Sequence, residues 1–544
     1  MTDGTIQTYA LTLNKFLDHA AKWHADAEVV TGRDGNVVER VGYAGLRARS
    51  LKVSAALAAR GVGQGDRVAT LAWNTQAHVE AWYGIMGMGA VCHTLNPRLT
   101  ADRLAAMLDQ SQARILICSA DLSGLAREIV DLTRAPDRVM VIDGAPPDWS
   151  ADRPDLTVET LKEAMNAAGG EAVWGAFEET APSGLCFTSG TTGQPKGVTY
   201  THRGSYLHTL RQLQAEVMGI RMTDSVLVAV PMFHANAWGL PFAAPAVGAK
   251  LILPGRYLDG ASLARLIRSE GATMAVGVPT VWLGLVDHLD EVGGHVPTLK
   301  RIMVGGAPMA PALMNRIESR LGVTIQTTWG MTELSPLGTS APPDEPHRDP
   351  ASAGRPSIGI DLLLTDAEGV PLAEQRGEEG HLKVRGSSVV ERYFGQNDNA
   401  LDGEGWFDTG DLARIDDSGN LYITGRSKDL IKSGGEWINP SEIETLVSAL
   451  PEIAQAAVIG RQDPKWGERP VLIVETQGNA EISDEDVLAS VRGHVASWCV
   501  PDAVIRIDSM PLGPTGKIDK IDLRARYAGE SPTDARSPQS RAAS

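Results

Sequence analysis

The chain has 544 residues, of which 22% are charged and 43% are hydrophobic, and its formal net charge is −17 at pH 7. This length is too great for one hydrophobic core and predicts two to four domains or subdomains. The acidic balance argues against a nucleic-acid scaffold and against a protein that binds anionic membranes, because both need basic surfaces.

The cysteines and the N-terminus indicate the cellular compartment and the absence of some kinds of site. The four cysteines, Cys92, Cys118, Cys186 and Cys499, are far apart and form no C-x-x-C pair, so the sequence indicates neither a zinc site nor a disulfide framework. The first 23 residues contain no apolar segment typical of a signal peptide. No apolar run approaches the ~18 residues that a membrane span needs. We therefore expect a cytoplasmic protein without a transmembrane segment.

Apolar spacing predicts an alternation of strands and helices up to about residue 340. Such short β-rich runs separated by helices are typical of parallel sheets covered by helices, and here they predict one large doubly wound α/β body with one sheet or two fused sheets. The predicted helices are 13–24, 43–60, 77–88, 159–168, 201–219, 260–270, 280–289 and 310–321. The predicted strands are 67–73, 90–94, 115–118, 139–142, 225–230, 251–253, 273–278, 301–304 and 323–327.

The pattern changes twice after residue 340. Short strands with polar turns predict a small β-subdomain over about 354–425, which completes an N-terminal domain of residues 1–425. A mixture of helices and strands over 426–528 predicts a small α+β C-terminal domain, since about 100 residues suffice for a separate domain. The segment 529–544 is rich in Ser, Pro, Ala and Arg and is predicted to be a disordered tail.

A short apolar run at 185–187 leads into a stretch of glycines, hydroxyls and one cation, and residues 183–197 read S-G-L-C-F-T-S-G-T-T-G-Q-P-K-G. Glycines let backbone N–H groups approach an anion closely, hydroxyls donate to phosphate oxygens, and a lysine adds a point charge. The stretch therefore predicts a loop that binds polyphosphate. Its predicted phosphate-binding residues are Thr188, Ser189, Gly190, Thr191, Thr192, Gly193 and Lys196.

Two positions distinguish this loop from the Walker A motif G-x-x-x-x-G-K-[ST]. Counted from Gly190, Pro195 replaces the second glycine, and Gly197 stands where a serine or threonine would bind magnesium. A P-loop NTPase is therefore disfavoured. A flexible linker is the other interpretation of a Gly/Thr loop, but flexible linkers rarely fix a Pro-Lys-Gly sequence.

Two further strings follow predicted strands. The string T-W-G-M-T-E at 328–333 offers an aromatic ring for stacking on a base and a carboxylate for Mg²⁺, a hard ion that prefers oxygen ligands. Taken alone, it is equally compatible with a strand, a turn and a surface acid. The string V-G-G-A-P at 304–308 has two glycines. They allow a flat ring to lie against the backbone, or they form a tight turn.

Three strings in the last third of the chain carry charged groups. W-F-D-T-G-D at 406–411 ends on Asp411, whose carboxylate can accept both hydroxyls of a ribose, although aspartates are also common in turns for structural reasons. G-R-S-K-D-L-I-K-S-G-G-E at 425–436 falls at the predicted domain boundary. P-L-G-P-T-G-K at 511–517 presents Lys517 on a loop shaped by Gly and Pro, which, taken alone, favours a lysine that is simply exposed.

Together, these strings resemble, in the same order, the signatures of the adenylate-forming superfamily, which includes acyl-CoA synthetases, luciferases and the adenylation domains of peptide synthetases. The segments P-M-F-H-A-N-A-W at 231–238 and G-V-P-T-V-W at 277–282 are most similar to the bacterial medium- and long-chain fatty acyl-CoA ligase branch. One departure is Trp329, because the family usually has tyrosine at that position.

The resemblance implies a role for each string. Lys517, Glu333 and His234 are implied in catalysis, Lys428 as the hinge of the C-terminal domain, and Glu333 with Thr188 in binding Mg²⁺. The residues implied around ATP and CoA are Thr188, Ser189, Gly190, Thr191, Thr192, Gly193, Lys196, Gly305, Gly306, Ala307, Pro308, Thr328, Trp329, Gly330, Met331, Thr332, Asp411, Arg426, Lys432, Gly434, Gly435 and Glu436. Those implied around the acyl group are His234, Trp238, Val278, Gly305, Trp329 and Pro336.

The implied activity is ATP-dependent ligation of a carboxylic acid to coenzyme A through an acyl-adenylate, with release of AMP and pyrophosphate. A short, aromatic-lined pocket, which Trp238, Trp282, Trp329 and Pro336 could form, and the overall similarity to 3-methylmercaptopropionate–CoA ligases indicate a short- or medium-chain acid. The alternatives are a medium- or long-chain fatty acid ligase, a ligase that loads a carrier protein, a phosphotransferase and a non-catalytic nucleotide-binding protein. The family also implies a homodimer.

Overall fold

The computed structural model describes residues 4–170, 172–188, 195–345, 348–478, 480–513 and 517–529. Five residues of the predicted phosphate loop, Ser189, Gly190, Thr191, Thr192 and Gly193, lie outside the described residues. Nearly all of the predicted disordered tail, 530–544, lies outside them as well. Among the described helices, none is long and apolar enough to cross a bilayer.

The first sheet of the N-terminal body has seven strands. They are β3 (Arg67–Leu71), β4 (Val91–Thr94), β5 (Ile115–Ser119), β6 (Arg138–Ile142), β7 (Thr157–Thr160), β8 (Pro182–Thr188) and β9 (Lys196–Thr201). Their order is β7-β6-β5-β3-β4-β8-β9, and all neighbours are parallel except the last pair. The predicted phosphate loop therefore connects two antiparallel strands at one edge of this sheet.

The second sheet has nine strands. They are β1 (Glu28–Arg33), β2 (Asn36–Gly42), β10 (Ser225–Val228), β11 (Lys250–Leu253), β12 (Met274–Gly277), β13 (Arg301–Val304), β14 (Thr324–Gly330), β15 (Leu337–Ser340) and β16 (Arg355–Pro356). Their order is β16-β15-β14-β13-β12-β10-β11-β1-β2, with a parallel centre and antiparallel pairs at both ends. The prediction of a doubly wound α/β body with two sheets is confirmed.

Eleven helices of the described part cover these sheets. They are α1 (Asn14–Trp23), α2 (Tyr43–Ala58), α3 (Gln76–Gly87), α4 (Ala101–Ser111), α5 (Ser123–Leu132), α6 (Leu161–Ala167), α7 (His202–Gln212), α8 (Leu240–Val247), α9 (Gly260–Glu270), α10 (Pro279–Val292) and α11 (Pro311–Leu321). The largest core joins both sheets, and within it Trp82 and Tyr83 of α3 pack on Phe242 of α8. Each such side chain, when fully buried, stabilises the fold by roughly 1.5–3 kcal/mol.

Two smaller sheets follow. The four-stranded antiparallel sheet has β17 (Ile360–Thr365), β18 (Glu379–Gly386), β19 (Phe407–Ile415) and β20 (Leu421–Arg426) in that order. The last sheet contains β21 (Ile431–Ser433), β22 (Glu436–Ile438), β23 (Ile453–Asp463), β24 (Gly467–Thr476) and β25 (Val504–Arg506). It is accompanied by α12 (Pro440–Ser448), α13 (Asp484–Ala489) and α14 (Lys520–Tyr527). These elements form the predicted α+β C-terminal module. The exact domain boundary at 425/426 stays a prediction.

Three local predictions differ from the structure. Asp411 lies within β19 rather than in a turn, because its backbone pairs with Arg426 of β20 and Thr409 beside it bonds Leu382 of β18. The helix predicted over 201–219 ends at Gln212, whose carbonyl accepts the N–H groups of a following compact turn. The hairpin of β1 and β2 was not predicted at all.

Candidate active site

Asp411 is the meeting point of three strands from the N-terminal body. Its carboxylate is only 2% exposed, and it accepts hydrogen bonds from Trp329 Nε1 at 2.9 Å on Oδ2 and from Arg426 Nε at 2.6 Å on Oδ1. Burial raises the pKa of Asp411, and the Arg426 charge and the Trp329 hydrogen bond oppose that rise. Residues 82 positions apart are therefore joined at one predicted ribose-binding carboxylate.

Trp329 is held against the backbone of the neighbouring strand. It lies on β14, and a Cβ atom placed on Gly338 of β15 would come within 2.6 Å of two carbons of the indole six-membered ring. Only glycine at 338 allows the ring to approach so closely. The indole N–H thus points at Asp411, so the tryptophan makes a directional bond to the predicted ribose site.

The predicted adenine turn and the predicted acyl pocket share one wall. Gly305 follows β13, and a Cβ there would lie 2.3 Å from Thr328 Oγ1 and 3.0 Å from the Trp238 ring. Gly306, with a φ of 81°, lies beside Val278 and the same ring. The structure therefore brings five predicted site residues together, although they come from four separate segments.

The remaining predicted residues of these strings lie on the same turns. Ala307 is half-buried, and Pro308 is exposed. The backbone N–H of Met331 donates to the Pro336 carbonyl at 3.0 Å, and a Cβ on Gly330 would lie 2.2 Å from that carbonyl. The backbone of the predicted nucleotide-binding string at 328–333 therefore packs closely against Pro336, which is predicted to line the acyl pocket.

A left-handed turn carries His234 and Trp238 into the same region. The residues of Ala235–Gly239 all have positive φ, and the four non-glycine residues among them have φ between 44° and 54°. Each such residue costs roughly 1–2 kcal/mol, and strain of this kind persists where the surroundings fix it. Here Gln212 Nε2 of α7 donates to the Trp238 carbonyl. The turn holds both side chains half-buried.

Glu333 and Lys196 are connected through a residue that the sequence patterns did not mark. Glu333 is 8% exposed, and its Oε1 accepts a hydrogen bond from the Tyr393 hydroxyl at 3.1 Å. Lys196 Nζ lies 4.9 Å from the centre of the Tyr393 ring. Burial raises the pKa of Glu333, opposed by Tyr393, Arg426 and Lys196. Tyr393 lacks a local signal because its contacts are made by residues at least 60 positions away.

The donors near Glu333 fit magnesium bound mainly by a nucleotide. Mg²⁺ prefers oxygen ligands and usually takes one or two carboxylates together with substrate phosphates. Glu333 supplies a carboxylate, and Thr188, at the end of β8, supplies a hydroxyl beside the Lys196 carbonyl. In the described part of the chain, no group of three His, Cys, Asp or Glu side chains is placed to hold a metal, which agrees with a site completed by phosphates.

Lys517 reaches this region from the C-terminal module. Its loop is closed by backbone hydrogen bonds between Gly513 and Lys517 and between Asp519 and Pro511. The side chain keeps contact with solvent, yet the surrounding protein lowers its pKa, as does the positive charge of Arg426, while Asp411 opposes this. Lys517 is therefore close enough to Asp411 and Arg426 for their charges to act on its ammonium.

The charge of Lys517 also acts on His234 of the predicted acyl pocket. Burial lowers its pKa to about 4, and the charges of Lys517 and Arg98 contribute. His234 is therefore neutral at pH 7. Lys517 thus interacts both with the predicted ribose carboxylate and with the predicted acyl-side histidine.

The predicted hinge residue borders this cluster, because the charges of Arg426 and Asp411 act on Lys428, whereas the predicted CoA residues lie on a hairpin of the C-terminal module. Lys428 is in the short turn Ser427–Asp429 directly after β20, and Arg524 of α14 bonds Asp429 at 2.8 Å. The predicted CoA residues lie on the hairpin of β21 and β22, where their contacts are with their own domain: the Gly434 N–H donates to the Trp466 carbonyl at 2.7 Å. These residues are Lys432, Gly434, Gly435 and Glu436.

Comparison with known proteins agrees with this arrangement. The model of the AMP-binding enzyme family matches residues 16–394, and that of the AMP-binding enzyme C-terminal domain matches residues 442–517. The chain belongs to the AMP-binding enzyme family. The adenylate-forming resemblance drawn from the sequence strings is thereby confirmed.

Three proteins that are similar to this chain are acyl-CoA ligases. The 3-methylmercaptopropionyl-CoA ligase of Ruegeria lacuscaerulensis is 38% identical over 96% of this chain and 98% of its own length. The medium-chain-fatty-acid–CoA ligase of Ectopseudomonas oleovorans is 37% identical over 96% and 97%. The crystal structure of the anthranilate CoA ligase AuaEII with anthranoyl-AMP superposes with a TM-score of 0.85, covering 96% of this chain and 98% of that one, at 22% identity. This last likeness confirms the fold.

Proposed function

We propose that this AMP-binding enzyme is an acyl-CoA synthetase that joins a short- or medium-chain carboxylic acid to coenzyme A with ATP, releasing AMP and pyrophosphate. The observation that carries the proposal is the meeting of Trp329 and Arg426 on the buried Asp411 carboxylate, whose charge, like that of Glu333, also acts on Lys517 of the C-terminal module. A carboxylate attacking an α-phosphate needs a positioned cation between the two anions, and a lysine there meets that need.

The first step uses the residues of the cleft. Asp411 accepts the ribose hydroxyls while Arg426 and Trp329 hold its carboxylate in place, and the glycine turn at 305–306 lies against the adenine. Magnesium held by Glu333 and Thr188 would neutralise charge on the β- and γ-phosphates. Lys517 draws the substrate carboxylate and the α-phosphate together. His234, being neutral, lies near the carboxylate without adding charge.

The second step requires the C-terminal module to turn about Lys428. This motion withdraws Lys517 and brings the Gly434–Gly435 hairpin to the acyl-adenylate, where the CoA thiol attacks and AMP leaves. The support is the position of both segments: the hinge follows directly after β20, and the Gly434 N–H of the hairpin donates to the Trp466 carbonyl of its own domain. Two closed orientations of the module suit a reaction in which first the substrate carboxylate and then the CoA thiol is the nucleophile.

The proposed substrate is 3-methylmercaptopropionate, with a medium- or long-chain fatty acid as the alternative. The support is the pair of relatives at 38% and 37% identity, together with the Trp238 ring lying 3.0 Å from the position of a Cβ on Gly305. Because the Trp238 ring packs directly against the backbone of Gly305, the predicted acyl pocket has little room for a long acyl chain.

Removing the Trp238 ring is expected to lengthen the accepted acid. In Trp238→Ala, the ratio of kcat/KM for octanoate to that for butyrate should rise at least about tenfold, because each buried methylene is worth ~1–3 kcal/mol in discrimination. Initial rates of AMP formation with a series of acids measure it. Trp282→Phe is the control, since Trp282, also predicted for the pocket, is instead fully buried in the second hydrophobic core. An unchanged ratio in Trp238→Ala would remove Trp238 from the acyl pocket.

The proposed adenylation activity is tested by measuring the exchange of pyrophosphate into ATP. Labelled pyrophosphate should enter ATP only when a suitable carboxylate is present, without CoA, because adenylate formation is reversible. Exchange that needs no carboxylate, or none with any acid, would refute the proposal and favour a non-catalytic nucleotide-binding protein. A ligase that loads a carrier protein would show exchange but release little acyl-CoA with free CoA, and a phosphotransferase would release ADP.

We also propose a cytoplasmic homodimer. Near the N-terminus, Ile6, Tyr9 and Trp23 are 95%, 61% and 65% exposed, and large exposed apolar side chains can be buried in an interface between subunits. Sedimentation equilibrium should give twice the mass of the chain at micromolar concentration. A monomer mass across that range would contradict this assembly.

A further inference from the structure

Tyr393 lies in a segment tied by its backbone to both halves of the proposed phosphate site. The Val390 N–H donates to the Glu333 carbonyl at 2.7 Å, and the Phe394 N–H donates to the Gly197 carbonyl at 2.7 Å. A Cβ on Gly197 would lie 2.9 Å from the Phe394 Cβ, so the two backbones approach closely. The segment therefore spans the distance between the Glu333 turn and the strand that follows the phosphate loop.

The Tyr393 side chain continues that connection. Its hydroxyl donates to Glu333 Oε1 at 3.1 Å, and its ring accepts the Lys196 ammonium at 4.9 Å. A hydrogen bond to a charged group and a cation–π contact are both directional. The phenol has two rotatable side-chain bonds, so little conformational freedom is lost in making both contacts.

Without this ring, the two opposite charges would be free to pair. Lys196 and Glu333 interact electrostatically, yet within the described part of the chain no direct ion pair joins them, since each is engaged by Tyr393 instead. A direct pair at a desolvated carboxylate would be strong, and it would occupy the groups that magnesium and the phosphates need.

We infer that Tyr393 is a positioning residue that holds the Glu333 carboxylate and the Lys196 ammonium apart, so that one remains available to magnesium and the other to the triphosphate. The inference rests on the proposed function, because it assigns Glu333 to the metal and Lys196 to phosphate. It adds a residue that neither contacts the reacting atoms nor belongs to any of the strings that predicted the site.

Two variants separate the two contacts. Tyr393→Phe keeps the ring over Lys196 and loses the hydrogen bond, whereas Tyr393→Leu loses both. Tyr422→Phe is the control, because Tyr422 bonds Asp416 at 3.3 Å on β20, away from the phosphate loop. Binding of ATP is measured by calorimetry in EDTA and in excess Mg²⁺, and the melting temperature of each variant is recorded.

In Tyr393→Phe, the gain in ATP affinity on adding Mg²⁺ should shrink by about tenfold, the value of one hydrogen bond to a charged group, while ATP affinity in EDTA stays the same. Tyr393→Leu should also lose affinity in EDTA, because Lys196 then pairs with Glu333. A lower melting temperature with unchanged Mg²⁺ dependence in Tyr393→Phe would overturn the inference and leave a structural role only.

The wild-type arm separates this inference from the proposed function. Wild-type protein should bind ATP more tightly with Mg²⁺ and should catalyse the carboxylate-dependent exchange. If it does both and Tyr393→Phe matches it, the inference alone fails. If wild-type protein binds no ATP or shows no Mg²⁺ dependence, both fail. If it binds Mg²⁺ and ATP as expected but shows no exchange, only the proposed function fails, because the positioning role is read from binding.

Discussion

Lys517→Ala is expected to slow acyl-adenylate formation by about 10²–10³, the usual cost of removing one positioned group that stabilises developing charge. Thioester formation from supplied acyl-adenylate and CoA should change little, because Lys517 leaves the site before that step. The physical reason is the position of the ammonium: it interacts with Asp411 and Glu333 in the cleft, where charge builds on the α-phosphate and the leaving pyrophosphate. Rapid-quench assays of the two half-reactions measure the difference.

Lys520→Ala is the matched control for this variant. Lys520 lies three residues further on at the start of α14 and pairs with Glu444 at 2.7 Å, so its loss removes a cation from the same region without touching the cleft. Equal losses in both half-reactions of Lys517→Ala would refute the assignment of Lys517 to the first step.

The pH dependence of the same step gives a second readout. Because burial and Arg426 lower the pKa of Lys517, the ammonium deprotonates at a lower pH than a free lysine. The kcat/KM for ATP, which reports groups of the free enzyme, should therefore fall on the alkaline side before the ordinary lysine range. Lys517→Arg should keep a cation through that range and move the fall to higher pH.

Asp411→Ala is expected to lower kcat/KM for ATP by roughly 100-fold or more. Two ribose hydroxyls lose a charged acceptor, and each such hydrogen bond is worth ~1.5–3 kcal/mol. The Trp329 N–H and the Arg426 guanidinium also lose the carboxylate that holds them at 2.9 and 2.6 Å. Most of the effect should appear as a raised KM for ATP, with a smaller fall in kcat.

A second aspartate on the same hairpin controls for damage to the sheet. Asp416 follows β19 and accepts hydrogen bonds from Asn420 across the turn, so Asp416→Ala should lower stability without raising the KM for ATP. 2′-Deoxy-ATP and 3′-deoxy-ATP should be poor substrates for the wild type but should lose little further activity in Asp411→Ala. An Asp411→Ala enzyme with wild-type KM would contradict the ribose assignment.

Much of the N-terminal body follows from local patterns. The buried strand Arg301–Val304 and the helix Gly260–Glu270 were predicted with the bounds they have, because one is a short apolar run and the other has apolar residues at helical spacing between Asp259 and Gly271, which cap it. Strings such as T-W-G-M-T-E were recognisable because their chemistry is contained in consecutive residues.

What escaped prediction depends on partners distant in the chain. Asp411 looks like a turn residue because D-T-G-D is turn-like, and only pairing with Arg426 and the strand of Leu382 makes it part of a strand. Tyr393 has an ordinary local sequence, and its importance comes from Glu333 and Lys196. No propensity argument predicts such contacts, since tertiary pairing overrides local preference.

The left-handed turn Ala235–Gly239 is a further case of this kind. Alanine and tryptophan disfavour positive φ, so the sequence argues against the conformation that the chain adopts there. The bond from Gln212 to the Trp238 carbonyl and the surrounding core hold it in place. Strain of this sort is concentrated at ligand sites, which agrees with the position of His234 and Trp238 beside the cleft.

The central claim is that one cleft brings an organic acid to the α-phosphate of ATP. The most direct test incubates the wild-type protein with Mg²⁺, ATP, CoA and each of 3-methylmercaptopropionate, butyrate, octanoate and palmitate, and separates the nucleotide products by chromatography. The account predicts AMP, equimolar pyrophosphate and acyl-CoA, with the short acids preferred over palmitate. Accumulation of ADP, or no AMP with any of the acids, would contradict it.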